Sequence, residues 1–270
     1  MTRRRYVFDE AKVGRFLRQR RGEGEGPAYR PWLTVRDISS RGRSHREPGV
    51  LTQRTHHLLS DGEWKSFLML EQDPSILDIR EQFPMDRLRT HAIARRLGYR
   101  PPVTLDGTPY VLTIDFFVTQ RAAAGVRYRP LTFKYSFDDL APRGVQLLHI
   151  AQQYWEDEGL ELERIDQSFY DEEVIKKWDR VRGRHIPSAL GSLPSNEAAA
   201  LVRAVIAARA CHGLELTEFC RQLADATSGT PMAIFNGVLA LLAHRYLYVD
   251  LRGSLPLELY PMSRFEMGVR

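Results

Sequence analysis

The sequence has little cysteine: two residues in 270, Cys211 and Cys220. They form no CxxC pair and have no clustered histidines around them, which argues against a zinc site and for two reduced thiols, read as core filler in a cytoplasmic protein. Long hydrophobic runs are also missing. The basic residues Arg3, Arg4 and Arg5 are followed by no continuous apolar stretch, so a secretory signal is not expected, and no segment predicts a transmembrane helix. There is no internal repeat and no low-complexity tract.

What is present is a globular composition, 43% hydrophobic over 270 residues, which excludes disorder over most of the length and predicts two domains. The net charge of +5 is unevenly spread. Residues 1–50 hold thirteen Lys and Arg against six Asp and Glu, an excess of seven, so the rest of the chain nets about −2. Basicity confined to one end suits a polyanion such as DNA, because Arg and Lys contacts to phosphates release counterions. A solvated, poorly ordered arm is the other reading of the same residues.

Residues 9–21 space Val13, Phe16 and Leu17 as a short basic helix, and the Gly-Glu-Gly-Glu-Gly stretch at 22–26 reads as a loop. The stretch 27–55 is irregular; its Gly42-Arg43-Ser44-His45-Arg46 suits a loop lying against phosphates or an ordinary surface loop. Ser60-Asp61-Gly62-Glu63 is a capping-box signature opening a helix with Trp64, Phe67 and Leu68 on its apolar stripe, ended by Asp73-Pro74. Residues 75–83 alternate as a strand with Leu77, Ile79 and Phe83 on one face, and a helix near 86–97 closes at Gly98.

The next strand, 109–120, puts Leu112, Ile114, Phe116 and Val118 on one face and Thr113, Asp115 and Phe117 on the other. A second, 126–137, places Leu131, Phe133, Tyr135 and Phe137 opposite Thr132, Lys134 and Ser136, with Pro130 marking a bulge or an edge. A helix near 139–158 and a short strand at 160–166 follow. With one helix inserted after the first strand, this α-β-β-β-α-β order resembles the restriction-endonuclease core, of the PD-(D/E)xK kind. Beyond a bridging helix in 167–185 and a break at Pro187–Pro194, three helices (196–211, 217–226, 231–244) precede strands at 247–251 and 255–259 flanking Arg252-Gly253-Ser254, a winged-helix pattern. The expected class is therefore α/β with a C-terminal all-α, winged-helix domain: 1–55 a basic arm and loop, 56–186 catalytic, 187–270 winged-helix-like.

Phosphodiester hydrolysis needs an activated water and acids that hold metal ions against the developing charge. Glu63 opens the first helix, Asp115 sits mid-strand among apolar residues, and Lys134 shares the polar face of Thr132 on the adjacent strand. Each has a plainer explanation: Glu63 closes a capping box, or Asp115 pairs with Lys134 in a structural salt bridge. His56 and His57 point in different directions and favour a structural role over a ligand pair. Arg80-Glu81-Gln82 fits either an external contact or an internal ion pair.

Pro31-Trp32-Leu33-Thr34-Val35, Gly42-Arg43-Ser44-His45-Arg46, His56-His57-Leu58-Leu59-Ser60-Asp61-Gly62-Glu63, Leu77-Asp78-Ile79-Arg80-Glu81-Gln82-Phe83-Pro84 and Thr113-Ile114-Asp115-Phe116 together resemble the TnsA endonuclease family. The likeness is consecutive over about residues 30–120 and collinear through Tyr154-Trp155. It implies a Mg²⁺-dependent endonuclease with two ions, for which Mn²⁺ substitutes. Its expected role is to nick the 5′ ends of a transposon beside a DDE transposase of TnsB type and an ATP-dependent regulator of TnsC type. It also implies Glu63 and Asp115 as metal ligands, Lys134 as catalytic lysine, Thr132 as an auxiliary group and the Phe133 carbonyl as a further ligand. The chain departs from the family at Thr132, where a glutamine is usual, and at Ala151, where an acid is usual. A free-standing restriction-like nuclease and a non-catalytic DNA-binding adaptor remain as alternatives.

Overall fold

The computed structural model describes residues 9–38, 42–104, 107–183, 195–209 and 213–268. Arg3–Arg5, the break at Pro187–Pro194 and Cys211 lie outside them. The fold is a mixed α/β one with a sheet core. Its contacts divide the chain into two compact units, the first drawn from residues up to Glu47, Arg54–Phe67 and Ile76–Phe169, the second from Pro48–Gln53, Leu68–Ser75 and Tyr170 onward. The division thus precedes the bridging helix.

In the first unit, helix α1 (Glu10–Arg18) is capped by Asp9, whose carboxylate accepts the Lys12 N–H. Val13 and Phe16 join Trp32 and Leu33 in a buried cluster, whereas Leu17, expected on the same stripe, is 58% exposed. The region 27–55, read as irregular, holds a short strand, β1 (His45–Pro48), which pairs with another that starts at the region's end, β2 (Thr55–Leu58). Four-residue strands of mixed polarity carry too little alternation to be seen in sequence.

Helix α2 (Asp61–Gln72) leads to β3 (Ile76–Pro84), followed by α3 (Arg87–Arg96), β4 (Thr113–Ala122), β5 (Gly125–Phe133), α4 (Pro142–Asp157) and β6 (Glu163–Ile165). The α-β-β-β-α-β order with one inserted helix is therefore present. The sheet runs β3-β4-β5-β6, antiparallel except that β6 is parallel to β5. Pro130 pairs with Phe117 on one side, and β6 joins the other side of β5 only from Leu131. The missing amide of Pro130 thus falls at an edge. A register shift between Ile76 and Asp78 breaks the alternation of β3: Ile76 is buried and Leu77, expected inside, is 37% exposed. Met85, Ile93, Ala94, Leu112, Ile114, Phe117, Ile150, Ala151, Tyr154, Trp155 and Leu162 form one core cluster drawn from β4, α3, α4 and the segments beside them.

The second unit holds α5 (Glu172–Gly183), α6 (Ser195–Ala208), α7 (Leu216–Thr227) and α8 (Pro231–Ala243), then β7 (Leu247–Tyr248) and β8 (Glu266–Met267). The expected strand at 255–259 is not formed. Leu257–Leu259 is a 3-10 turn, Met262–Arg264 is another, and β7 pairs with β8 instead. Pro256 and Pro261 open the two turns without an amide to give a ladder. Between them the hydroxyl of buried Tyr260 donates to the Leu251 carbonyl and accepts from Lys177. Cys220 is buried on α7, and burial pushes its thiol up to about 12, as a core residue rather than a reactive one. Among the described residues no single helix is long and apolar enough to cross a membrane.

Candidate active site

The first turn of α2, the start of β4 and the end of β5 bring Glu63, Asp115, Thr132 and Phe133 into one place with Lys134, which follows β5 because the strand stops at Phe133 and not at 137 as expected. Asp115 Oδ2 accepts from Thr132 Oγ1 at 2.8 Å, from the Phe133 N–H at 2.7 Å and from Lys134 Nζ at 3.5 Å. Lys134 Nζ also donates to the Phe133 carbonyl at 2.7 Å and reaches Thr132 Oγ1 at 3.4 Å. The carboxylate, the hydroxyl, the ammonium and a main-chain carbonyl thus share one patch of β4 and β5.

Glu63 belongs to both of its sequence readings. Its N–H donates to Ser60 Oγ at 3.1 Å, and its carboxylate accepts from Ser60 Oγ at 3.1 Å and from the Leu59 N–H at 2.9 Å, which caps the helix. The same carboxylate is buried, and burial together with the negative charge of Asp115 pushes it up to about 8, against the pull of the Leu59 and Ser60 donors and of Lys134. A capping glutamate at a surface would have neither the burial nor the second acid.

Among the described residues no group of three or more His, Cys, Asp or Glu gathers to hold a metal; the acids here are a pair. Two carboxylates and a carbonyl are an all-oxygen donor set of the kind a hard divalent cation takes, with water and phosphate completing the shell. The Lys134 ammonium already takes its oxygen contacts from that set, so the residues fit a cation. Ala151, where an acid could have added a ligand, is buried in the apolar core on α4.

Residues to which the sequence assigns no part in the site complete the geometry. Gln82 Nε2 donates to Glu63 Oε2 at 3.3 Å and Thr113 Oγ1 donates to Gln82 Oε1 at 3.1 Å. The Gly62 N–H donates to Tyr135 Oη at 3.1 Å. The polar run Arg80-Glu81-Gln82 within a strand is the signal that covers Gln82; nothing in the sequence marks Tyr135. His56 and Arg80-Glu81 resolve to internal roles. Glu81 is fully buried and bound by Arg54 and His56, and Arg80 lies against Asp78, Thr119 and the Phe117 ring. His45, from the basic segment, is held on β1 by Asp61 at 2.6 Å and stacks on Trp64.

Two expected outcomes follow from this geometry. A Cβ on Gly62 would come within 2.0 Å of the Phe133 ring, so Gly62→Ala must displace Phe133, whose main chain carries the N–H on Asp115 and the carbonyl on Lys134. The substitution should cost about 1–3 kcal/mol by overpacking, read in urea unfolding, and should weaken Mn²⁺ binding as well; unchanged binding would detach Phe133 from the site. The second concerns pH. The raised Glu63 carboxyl is neutral in the metal-free fold where the unfolded chain, near ~4.3, is ionised, so its burial lowers stability progressively as pH rises from about 4 to 8. A divalent ion must displace that proton. Affinity should therefore climb by up to about tenfold per pH unit below 8 and level off above it. Calorimetry in buffers of different ionisation enthalpy measures the released proton, and no release at pH 6.5 would contradict the placement of Glu63.

A scan against protein-family models finds no match. Among curated proteins, transposition protein TnsA of transposon Tn7 from Escherichia coli is 37% identical over 156 residues, 58% of this chain and 56% of that protein. The chain spans a little over half the length of that relative. Over that stretch the chain is similar to TnsA, with the site residues Glu63 and Asp115 lying in the first unit described above.

Proposed function

We propose that the chain is a metal-dependent DNA endonuclease that nicks the 5′ ends of a transposon. It would work in the cytoplasm of a bacterium beside a DDE transposase of TnsB type and an ATP-dependent regulator of TnsC type. The observation that carries this is the convergence of Glu63 on α2, Asp115 on β4 and Lys134 just after β5 on one patch, with Glu63 buried and Asp115 half-buried. The element order of the first unit supports a restriction-endonuclease-like catalytic core. The three helices and two-stranded pairing from residue 195 on support a winged-helix-like domain for docking on partner or DNA, with no acid cluster of its own among the described residues.

Mg²⁺, with Mn²⁺ as substitute, would be held by Glu63, Asp115 and the Phe133 carbonyl and would supply charge neutralisation and a water of lowered pKa. The side chains have separate tasks. Asp115 is oriented by the Thr132 hydroxyl and the Phe133 N–H. Lys134 would neutralise the phosphate as charge builds in the transition state. Exposed Arg15, Arg18, Arg43 and Arg46 would contact phosphates away from the cut, whereas Arg21 is committed to Asp37 and the Phe16 ring. Purified chain with Mg²⁺ and plasmid should leave the DNA intact, and should cut an element end only when both partners are added. Cutting alone at its own sequence would favour the free-standing nuclease, and no cutting in any mixture the adaptor.

A further inference from the structure

Gln82 has a backbone that an ordinary strand does not require. Its φ is +48°, in the left-handed region, although it is not glycine and lies within β3. Such a conformation is strained and persists only where its surroundings over-determine it. Those surroundings are specific. The carbonyl of Gln82 accepts the Trp32 N–H at 3.3 Å, and the side chain, in a residue only 3% exposed, accepts from Thr113 and donates to Glu63. The flanking pairs Glu81 with Phe116 and Phe83 with Ile114 set Gln82 across from Asp115. Thr113 lies two residues before Asp115, on the same face of β4.

A continuous chain of hydrogen bonds therefore runs from the strand that carries Asp115, through the amide, to the Glu63 carboxylate. Its polarity is internally consistent: the hydroxyl donates to the carbonyl end of the amide, which turns the N–H end toward the acid. We propose that Gln82 is a positioning residue for the nuclease site, holding Glu63 at a fixed place relative to Asp115 so that the two acids address one divalent ion. It acts through Glu63 and does not touch the DNA. The left-handed backbone is what aims the amide at Glu63 instead of along the strand. The inference rests on the metal-dependent reading above.

The test is Mn²⁺ titration of the full-length chain by calorimetry, with urea unfolding of the same samples, for Gln82→Gly, Gln82→Asn and Asp115→Ala. Glycine adopts this φ without strain and asparagine tolerates it better than most residues, yet the first lacks the amide and the second holds it one methylene short of Glu63. Both should stay folded, glycine at least as stable as the parent, and both should bind Mn²⁺ about 10–100-fold more weakly, as when a ligand's supporting partner is lost. Unchanged Mn²⁺ affinity in the two Gln82 variants, with binding lost in Asp115→Ala, would overturn the positioning role alone. Loss of folding in both would do the same by assigning Gln82 to the fold. Unchanged affinity in Asp115→Ala would instead sink the nuclease reading beneath it.

Discussion

Asp115→Ala is expected to change the product of transposition without stopping it. If this chain cuts the 5′ strand and a separate transposase cuts and joins the 3′ strand, losing Asp115 spares the partner's chemistry. The element then remains attached to its donor through the uncut strand, and joining to target gives a branched intermediate that replication turns into a cointegrate. The 5′ cut itself should fall at least about 10²–10³-fold, the loss that follows removal of one preorganised electrostatic contact. Glu63→Ala should match it, since the two acids form the pair. Lys134→Ala should be leakier because both carboxylates remain, and Thr132→Ala mildest, because its 2.8 Å bond to Asp115 is one hydrogen bond worth about 1 kcal/mol. Long-read sequencing of insertion products gives the ratio of simple insertions to cointegrates for each strain. Simple insertions at the parental frequency in Asp115→Ala would mean that another protein cuts the 5′ strand.

Removing Glu81 should unfold the chain more readily than any change at the site. Its carboxylate is fully buried, bridged twice by Arg54 at 2.9 and 2.6 Å, with His56 Nδ1 at 2.7 Å and the His57 N–H at 3.0 Å. Arg54 and His56 are themselves 7% and 0% exposed, so Glu81→Ala leaves buried groups with no counter-charge. The expected cost is about 3–5 kcal/mol, a large part of the roughly 5–15 that holds a domain folded. Burial alone would raise this carboxyl, but His56 and Arg54 outweigh it and hold it well below the usual carboxylate range. A depressed carboxyl contributes stability that is full above the unfolded value near ~4.3 and is lost as pH falls below it. The gap between parent and Glu81→Ala in urea unfolding should therefore be full at pH 7 and narrow by pH 3.5. A gap under about 1 kcal/mol that ignores pH would contradict the triad's role.

How much of this the sequence carried depends on how local each signal was. The order of elements from α2 to α4 was legible because each helix and strand is long enough to show its period, and three-residue β6 because Gly159 ends the helix before it. Asp115 was legible as an acid in an apolar strand, and Lys134 through its shared face with Thr132. β1 and β2 were not, being four residues each. Leu77 was misplaced because the irregularity beside Asp78 shifts the alternation, and the strand at 255–259 because its leucines pack as turns between two prolines. Gln82 and the Arg54–Glu81–His56 triad depend on contacts between segments far apart in sequence, which no period encodes. The resemblance pointed to the acids and the lysine, and the geometry added what orients them.

The central claim is that Glu63, Asp115 and Lys134 cut one strand of DNA. The most direct measurement is strand-resolved cleavage of end-labelled element DNA on a denaturing gel, using this chain, its transposase and its regulator with Mg²⁺. Parental protein should give both a 5′-strand and a 3′-strand cut, and Asp115→Ala only the 3′-strand cut, with chelator abolishing the 5′ product of the parental chain. A 5′-strand cut that persists undiminished with Asp115→Ala would contradict the account.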